Sequence, residues 1–554
     1  MFIIILYCKF STPKSIKIMK TKILALGLLA MFIAQSCQSN DDLTSNDEKV
    51  ILNSDANALN ARMDHSSSGV INLVSSNLTS KNAVVTETDN FPMSLLAEVN
   101  PPVYEGKTLT ATHVDVKDNY IYVSYNTAGE TYLGAIDVID ITEPNNPKLV
   151  VQAILPNTDI STVVYDNGNL YIAGATSVDA NKNIETPAFV ARMPLKSGLL
   201  TTDYTNIPLL SYVGTGVAVA PNEYFSVSGN NGVLAKIDKT TNTIKATIPI
   251  ADLRALGYIN NKVVVLSGTE GVKIYNADTM SLISSFKTGT DVAEAKRTID
   301  FQGDNILVAQ GYSGLTVYNA TGGLVQNLAL PTSISGVNSA DIVTNAVSVN
   351  GDYAYAANGA AGIAVYQKQT LNLVSLGSIS LGGSANYVKS VGDYIFVANG
   401  SGGLKIVKKV TVSTINCDDY KKYDGGQWLN VNSGETLNYQ GSASIQGINV
   451  NQNLTFCGSL SVKQGVNINS GGVFTMNGSM AQGNYNSNSS NFNFNVNGTL
   501  KIEGSVVLYG NLILNSGATI EFLGSGSSIT IYGKVTKNSG VTIKGNYTDT
   551  FNKL

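Results

Sequence analysis

The sequence predicts an all-β protein: a seven-bladed β-propeller followed by a small parallel β-helix. Three observations carry this. A hairpin phrase recurs between about residues 113 and 410. After about residue 411, short apolar segments recur at a much tighter pitch. Only 14% of the 554 residues are charged, while 52 are Gly and Asn, Ser and Thr abound, the profile of a turn-rich exported β protein. A chain this long exceeds what one core supports, so at least two domains are expected.

The hairpin phrase is clearest in Asp393-Tyr394-Ile395-Phe396-Val397, followed by Gly403-Leu404-Lys405-Ile406. Six relatives of the first half precede it: Asn119–Val123, Asn169–Ala173, Glu223–Val227, Asn261–Val265, Asp304–Val308 and Asp352–Ala356. A Gly-led strand follows in every copy but the second, which has Ala188-Phe189-Val190-Ala191 and is the least regular unit. Repeats of roughly 40–50 residues, each with four short strands, are the signature of propeller blades. One blade cannot bury both of its faces alone, so neighbours stack around an axis. Strands buried on both sides lose the apolar/polar alternation, as these do.

The last copy lacks a fourth strand. Residues 92–99, before the first copy, resemble the fourth strand of the first unit, Pro147–Ile154. They are expected to complete the seventh blade and join the chain ends, which removes two open edges.

After residue 411, segments such as Leu454-Thr455-Phe456, Leu500-Lys501-Ile502 and Ile529-Thr530-Ile531 are separated by Gly-, Asn- and Ser-rich turns. This pitch suits coils of a parallel β-helix, with Asn and Ser ladders at the turns. A β-sandwich is the alternative. Residues 481–493 read as a loop extruded from one coil.

The N-terminus reads as an export signal over residues 1–36. Met19 is the expected start, followed by Lys20, Lys22 and the apolar run Ile23–Ile33, which is too short to span a bilayer. Ala34-Gln35-Ser36-Cys37 resembles a bacterial lipobox, although Ala34 stands where Leu is usual; the resemblance implies lipidation at Cys37. A plain signal peptide cut near Ser36 is the alternative. Asp41 and Asp42 then resemble the acidic surface-export tag of Bacteroidetes lipoproteins. Residues 37–90 are expected as a flexible tether, a coil of about 50 residues reaching roughly 40 Å. The propeller is placed at 91–411 and the β-helix-like domain at 412–554.

Gly134-Ala135-Ile136-Asp137-Val138-Ile139-Asp140-Ile141, with Pro144 and Pro147 after it, resembles the LVIVD repeat of bacterial surface propellers. That resemblance covers about residues 91–410. It implies a fold and no catalytic motif.

Cleavage before Cys37 leaves 31 basic residues (36 less the five Lys of the leader) against 40 acidic ones, a net charge of −9. Without a basic tract, nucleic acid is a poor partner. Cys417 and Cys457 are the two Cys of the folded body. Export favours their pairing, which would close a 40-residue loop and stabilise by roughly 4 kcal/mol in the chain-entropy model. Two separately buried thiols are the alternative.

The two His, His65 and His113, form no set with metal-ligand or triad spacing, so no metal, cofactor or catalytic residue is assigned. The carboxylate pairs Asp115/Asp118 and Asp137/Asp140 lie at strand ends. Tyr104, Tyr125, Tyr312 and Trp428 are candidate rim-binding aromatics, able to stack on sugars or anchor a protein.

Two functions follow as expectations. One is a non-enzymatic, lipid-anchored cell-surface protein of the outer membrane, binding an outer-membrane protein complex or an extracellular polysaccharide. The other is a glycan hydrolase or lyase using Asp or Glu on the propeller face. Two carboxylates and an Arg gathered at one channel mouth would favour the enzyme.

Overall fold

The computed structural model describes residues 50–65, 68–71 and 91–554, apart from 128, 130, 181–183, 290, 291, 293, 294, 332, 335, 413 and 486–491. The export signal and Cys37 lie outside these residues.

Seven antiparallel sheets form the propeller. The repeated hairpin supplies the second and third strands of each blade. The innermost strand precedes it and the outermost follows. Blade 3 is representative: Gly214–Val219, Glu223–Ser228, Gly232–Asp238 and Ile244–Ile250, from the axis outward. The irregular second copy still builds a full blade, with Ala188–Pro194 as its third strand. Its register needs only backbone pairing and small side chains, which Ala188 and Ala191 provide without the leading Gly.

The seventh blade closes as expected. Met93–Val99 pairs antiparallel with Leu404–Lys409, from Leu404 opposite Val99 to Lys409 opposite Met93. Ala97, Val99, Phe396, Leu404 and Ile406 are buried there in one cluster with Ile121 and Leu133 of blade 1.

Part of the expected tether is folded, which corrects that reading for residues 50–65 and 68–71. Ile51–Asn53 adds a fifth strand to the outer edge of blade 1, with Ile51 opposite Ile154. A one-turn helix, Ala56–Asn60, follows; the side chain of Asp55 accepts hydrogen bonds from the amides of Asn57 and Ala58, a standard cap for otherwise orphan donors. Met63–Asp64 and Gly69–Ile71 then pair with the outer side of Met93–Val99. The strap therefore crosses the seam between the first and last blades, and Leu59 is buried in it. Short apolar runs at Val50–Leu52 and Val70–Ile71 supply its strands. They are too short to outweigh the surrounding Ser and Asn, and only the open sheet edges give them something to pair with.

The C-terminal domain is a parallel β-solenoid, not a sandwich. Two ladders of in-register strands run through it. One contains four ten-residue strands, Thr436–Ile445, Asn453–Val462, Val473–Gln482 and Thr499–Leu508. Each bends at a Gly in the same register: Gly441, Gly458, Gly478 and Gly504, all at positive φ. A Cβ on Gly478 would stand 2.1 Å from the carbonyl oxygen of Gly458, so the corner admits no side chain. Inside, Phe456, Met476, Ile502 and Phe522 stack in a buried column. Outside, Asn430, Asn449, Asn467 and Asn495 form an amide ladder with bonds of 2.8, 2.9 and 2.8 Å. Successive ladder residues are 18 apart from Asn449 to Asn467 but 28 apart from Asn467 to Asn495. The longer coil is the one holding the expected extrusion at 481–493, of which 486–491 lie outside the described residues.

The linker between the domains is tied to the solenoid. Cys417 and Cys457 are disulfide-bonded. Buried Glu503 accepts from the amide and hydroxyl of Thr414 and from Asn477 Nδ2. The strap meets the same domain: Tyr509 donates to the carbonyl of Ser68, and Gly69 packs against Ala481.

Candidate functional site: the axial channel and its leading face

Each innermost strand starts on one face of the propeller and ends on the other. The turns between second and third strands share the starting face. Gly400 bridges Ala111, Gly311 bridges Thr344, and Gly359 bridges Ala385; each pair joins such a turn to the start of the next blade's inner strand. This is the leading face. The chain leaves blade 7 after Lys409, on the opposite, trailing face.

Toward the trailing end, seven equivalent inner-strand positions hold Asp115, Val164, Ala218, Gly257, Asp300, Ser348 and Lys389. They line a cavity of about 310 Å³. Three of them make the same bond to the next blade. Tyr165 N donates to Asp115 (2.8 Å), Val349 N to Asp300 (2.7 Å) and Ser390 N to Ser348 Oγ (3.0 Å). The other oxygen of Asp300 accepts from Phe301 N, and that of Asp115 lies 3.7 Å from Lys389 Nζ. Burial pushes both carboxyls up, opposed by these amides and by Lys389. Burial acts to lower the Lys389 pKa, but Asp115, Tyr387 and Asp300 together hold it above its ordinary value.

One residue layer nearer the leading face, the His113 and Tyr387 rings pack tilted at 31° with centroids 3.8 Å apart. His113 is buried and its Nδ1 has no hydrogen-bond partner. Burial, then Lys296 and Lys389, keep the ring neutral by lowering its pKa.

Lys296 crosses the channel. Its ammonium donates to the carbonyls of Thr112 (2.9 Å) and Ser161 (2.6 Å) and lies 5.3 Å from the centroid of the Tyr387 ring. Burial lowers its pKa to about 7. Arg254 lies beside the same waist but is engaged by Asp252 at 2.9 Å. Above Lys296 a second cavity, of about 500 Å³, opens toward the leading face. Its wall includes Thr112, Ser161, Asn345 and Asn386. Asn345 is fixed by a bond to the carbonyl of Ala385 and Asn386 by one to the carbonyl of Ala111. Each amide nitrogen has two N–H groups, so one bond orients the side chain and leaves a donor.

The four aromatic candidates separate. Tyr312, in the second turn of blade 5, is 54% exposed on the leading face. Tyr104 is half-buried on the segment that enters blade 1, on the same face. Tyr125 is not a rim residue: it is fully buried, with the Arg62 guanidinium 6.0 Å from its ring. Its strand lies between blades and the strap covers it, which local sequence does not show. Trp428 is 45% exposed but belongs to the first solenoid coil, packed on Gly447. Sequence reasoning missed Tyr212, 69% exposed beside exposed Leu210 on the segment entering blade 3. Its signal was a position between repeats, where no strand claims a Tyr.

Of the paired carboxylates, Asp137 is bound by Arg62, and Asp140 accepts from Thr142 N in its own turn. Asp118 sits in a turn at φ 54°. The structure brings Asp115 together with Asp300 and Lys389 instead. Inner-strand positions repeat too weakly in sequence for that ring to be read.

No family model and no curated protein matches the sequence. Solved chains do match it. One, "Structure of U3-55K", is 12% identical over 57% of this chain and 98% of that chain, with a TM-score of 0.44, too low to bear on function.

Proposed function

We propose that this chain is a non-enzymatic surface protein, an LVIVD-repeat propeller of the Bacteroidetes type anchored to the outer membrane through a lipid on Cys37, and that it binds extracellular polysaccharide on its leading face. The observation that carries the binding role is the pairing of exposed Tyr212 and Tyr312 with a channel mouth walled by oriented amides and hydroxyls. Aromatic faces stack on the C–H faces of sugars, while convergent amides and hydroxyls satisfy their hydroxyls. Asp115 and Asp300 support the non-enzymatic reading, because one oxygen of each accepts from a backbone amide of the next blade and ties the blades together. Only 12 residues lie between Cys37 and Val50, the first described residue, so a lipid there holds the body within about 45 Å by chain length alone.

The test is retention of the mature protein on immobilised bacterial and plant polysaccharides. Wild type should be retained on at least one, and Tyr212→Ala/Tyr312→Ala should elute early. Retention on none, with recovery of a stable outer-membrane protein complex from detergent extracts, would replace the glycan with a protein partner.

A glycan hydrolase or lyase is the second reading, favoured by the Asp115–Asp300–Lys389 cluster. It requires polysaccharide turnover that Asp115→Asn abolishes in a folded protein.

A further inference from the structure

The leading-face cavity carries amide and hydroxyl groups on a mixed wall and a cation at its floor. Lys296 is that floor. An ammonium has three N–H donors, and two are used on the carbonyls of Thr112 and Ser161. Among the described residues, the Tyr387 ring is the other close neighbour of the charge. A half-buried charge without a counter-ion is costly unless it is satisfied by a ligand. The other cation at this level, Arg254, already has Asp252. The two channel carboxylates lie in the trailing cavity, and neither lines the leading one. Among the described residues, the leading cavity therefore presents oriented neutral donors around an ammonium that no described carboxylate engages.

We infer that the leading cavity binds the carboxylate of an acidic saccharide, a uronic acid unit, against Lys296. Asn345 and Asn386 face its hydroxyls, and the Tyr212/Tyr312 rim holds the neighbouring neutral units. This rests on the polysaccharide reading and names the sugar class it takes. A carboxylate accepts the third ammonium N–H and supplies the missing charge, and such charge-assisted bonds are among the stronger ones. A neutral hexose would bring no counter-charge to Lys296. The trailing cavity is a poor place for the acid, because Asp115 and Asp300 already surround Lys389 there.

The experiment titrates the full mature protein calorimetrically with a glucuronic acid-containing oligosaccharide and with the same oligosaccharide after reduction of its carboxyl groups. The acidic form should bind at least about tenfold more tightly, which corresponds to about 1.4 kcal/mol. Lys296→Met should bind both forms equally, while Tyr212→Ala/Tyr312→Ala weakens both. Equal binding of both forms by wild type sinks the carboxylate assignment and leaves the polysaccharide reading standing. Binding of neither form sinks both. Should Lys296→Met fail to fold, acylation of wild type followed by peptide mass spectrometry decides. Lys296 should be protected by the acidic sugar and not by the reduced one; equal labelling in both would overturn the assignment.

Discussion

Arg62 grips Asp137 with both guanidinium nitrogens, Nη1 to Oδ1 at 2.9 Å and Nη2 to Oδ2 at 2.5 Å. Asp137 has no solvent exposure. It sits on the third strand of blade 1, while Arg62 comes from the strap and also donates to the carbonyl of Asn100, just beyond the closing strand of blade 7. One ion pair thus ties the strap to both sides of the propeller seam.

Arg62→Ala leaves a buried carboxylate without its cation, a change that costs about 3–5 kcal/mol. The melting temperature of the propeller should fall clearly. Arg62→Met with Asp137→Leu should recover part of the loss. If the single variant melts like wild type, the strap is not a structural clamp.

The closing strand makes a similar prediction. Deleting residues 91–99 removes the register from Leu404–Val99 to Lys409–Met93 and reopens two edges. The melting temperature should drop by several degrees and aggregation should rise. Equal stability by calorimetry would show that blade 7 holds as three strands.

Lys296 should leave a mark on stability against pH. Its folded pKa is about 7 against an ordinary 10.5. Between those values the unfolded chain binds a proton that the folded chain does not, so this group's penalty is full below pH 7 and is relieved as pH rises toward 10.5. Among the described residues, the charged and titratable groups that line the waist cavity with it are His113, Asp115, Arg254, Tyr258, Asp300, Tyr387 and Lys389. The stability of Lys296→Met relative to wild type should therefore be greatest at pH 6 and decline toward pH 10. A pH-independent difference would mean that Lys296 titrates normally.

The Cys417–Cys457 bond closes a 40-residue separation, worth roughly 4 kcal/mol in the chain-entropy model. Cys417→Ser should lower the solenoid's unfolding temperature and free the linker near Thr414 for proteolysis. The propeller transition should move little. A protease pattern unchanged from wild type would show that Glu503 alone pins the linker.

Lipidation is tested by Cys37→Ser. The variant should leave the membrane fraction, and intact-mass analysis of wild type should show an acylated Cys37. Continued membrane association of the variant would remove the anchor from the proposal.

The sequence by itself determined what repeats. Seven Gly-punctuated hairpins, the closing strand and the close pitch of the solenoid were legible because each is a local pattern written many times. Backbone periodicity needs no knowledge of distant residues. The pairing partner of Cys457 was also within reach, since only one other Cys remained in the body. What happens once was left to the tertiary structure. Residues 50–65 and 68–71 look like tether until open edges on blades 1 and 7 are there to pair with Ile51–Asn53 and Gly69–Ile71. Tyr125 reads as a rim residue until Arg62 and the neighbouring strands cover it. Lys296 lies 184 residues from Thr112 and 135 from Ser161, and only closure of the ring brings them within 3 Å. A channel site is assembled from one residue per blade, so its chemistry has no sequence spacing to be read from.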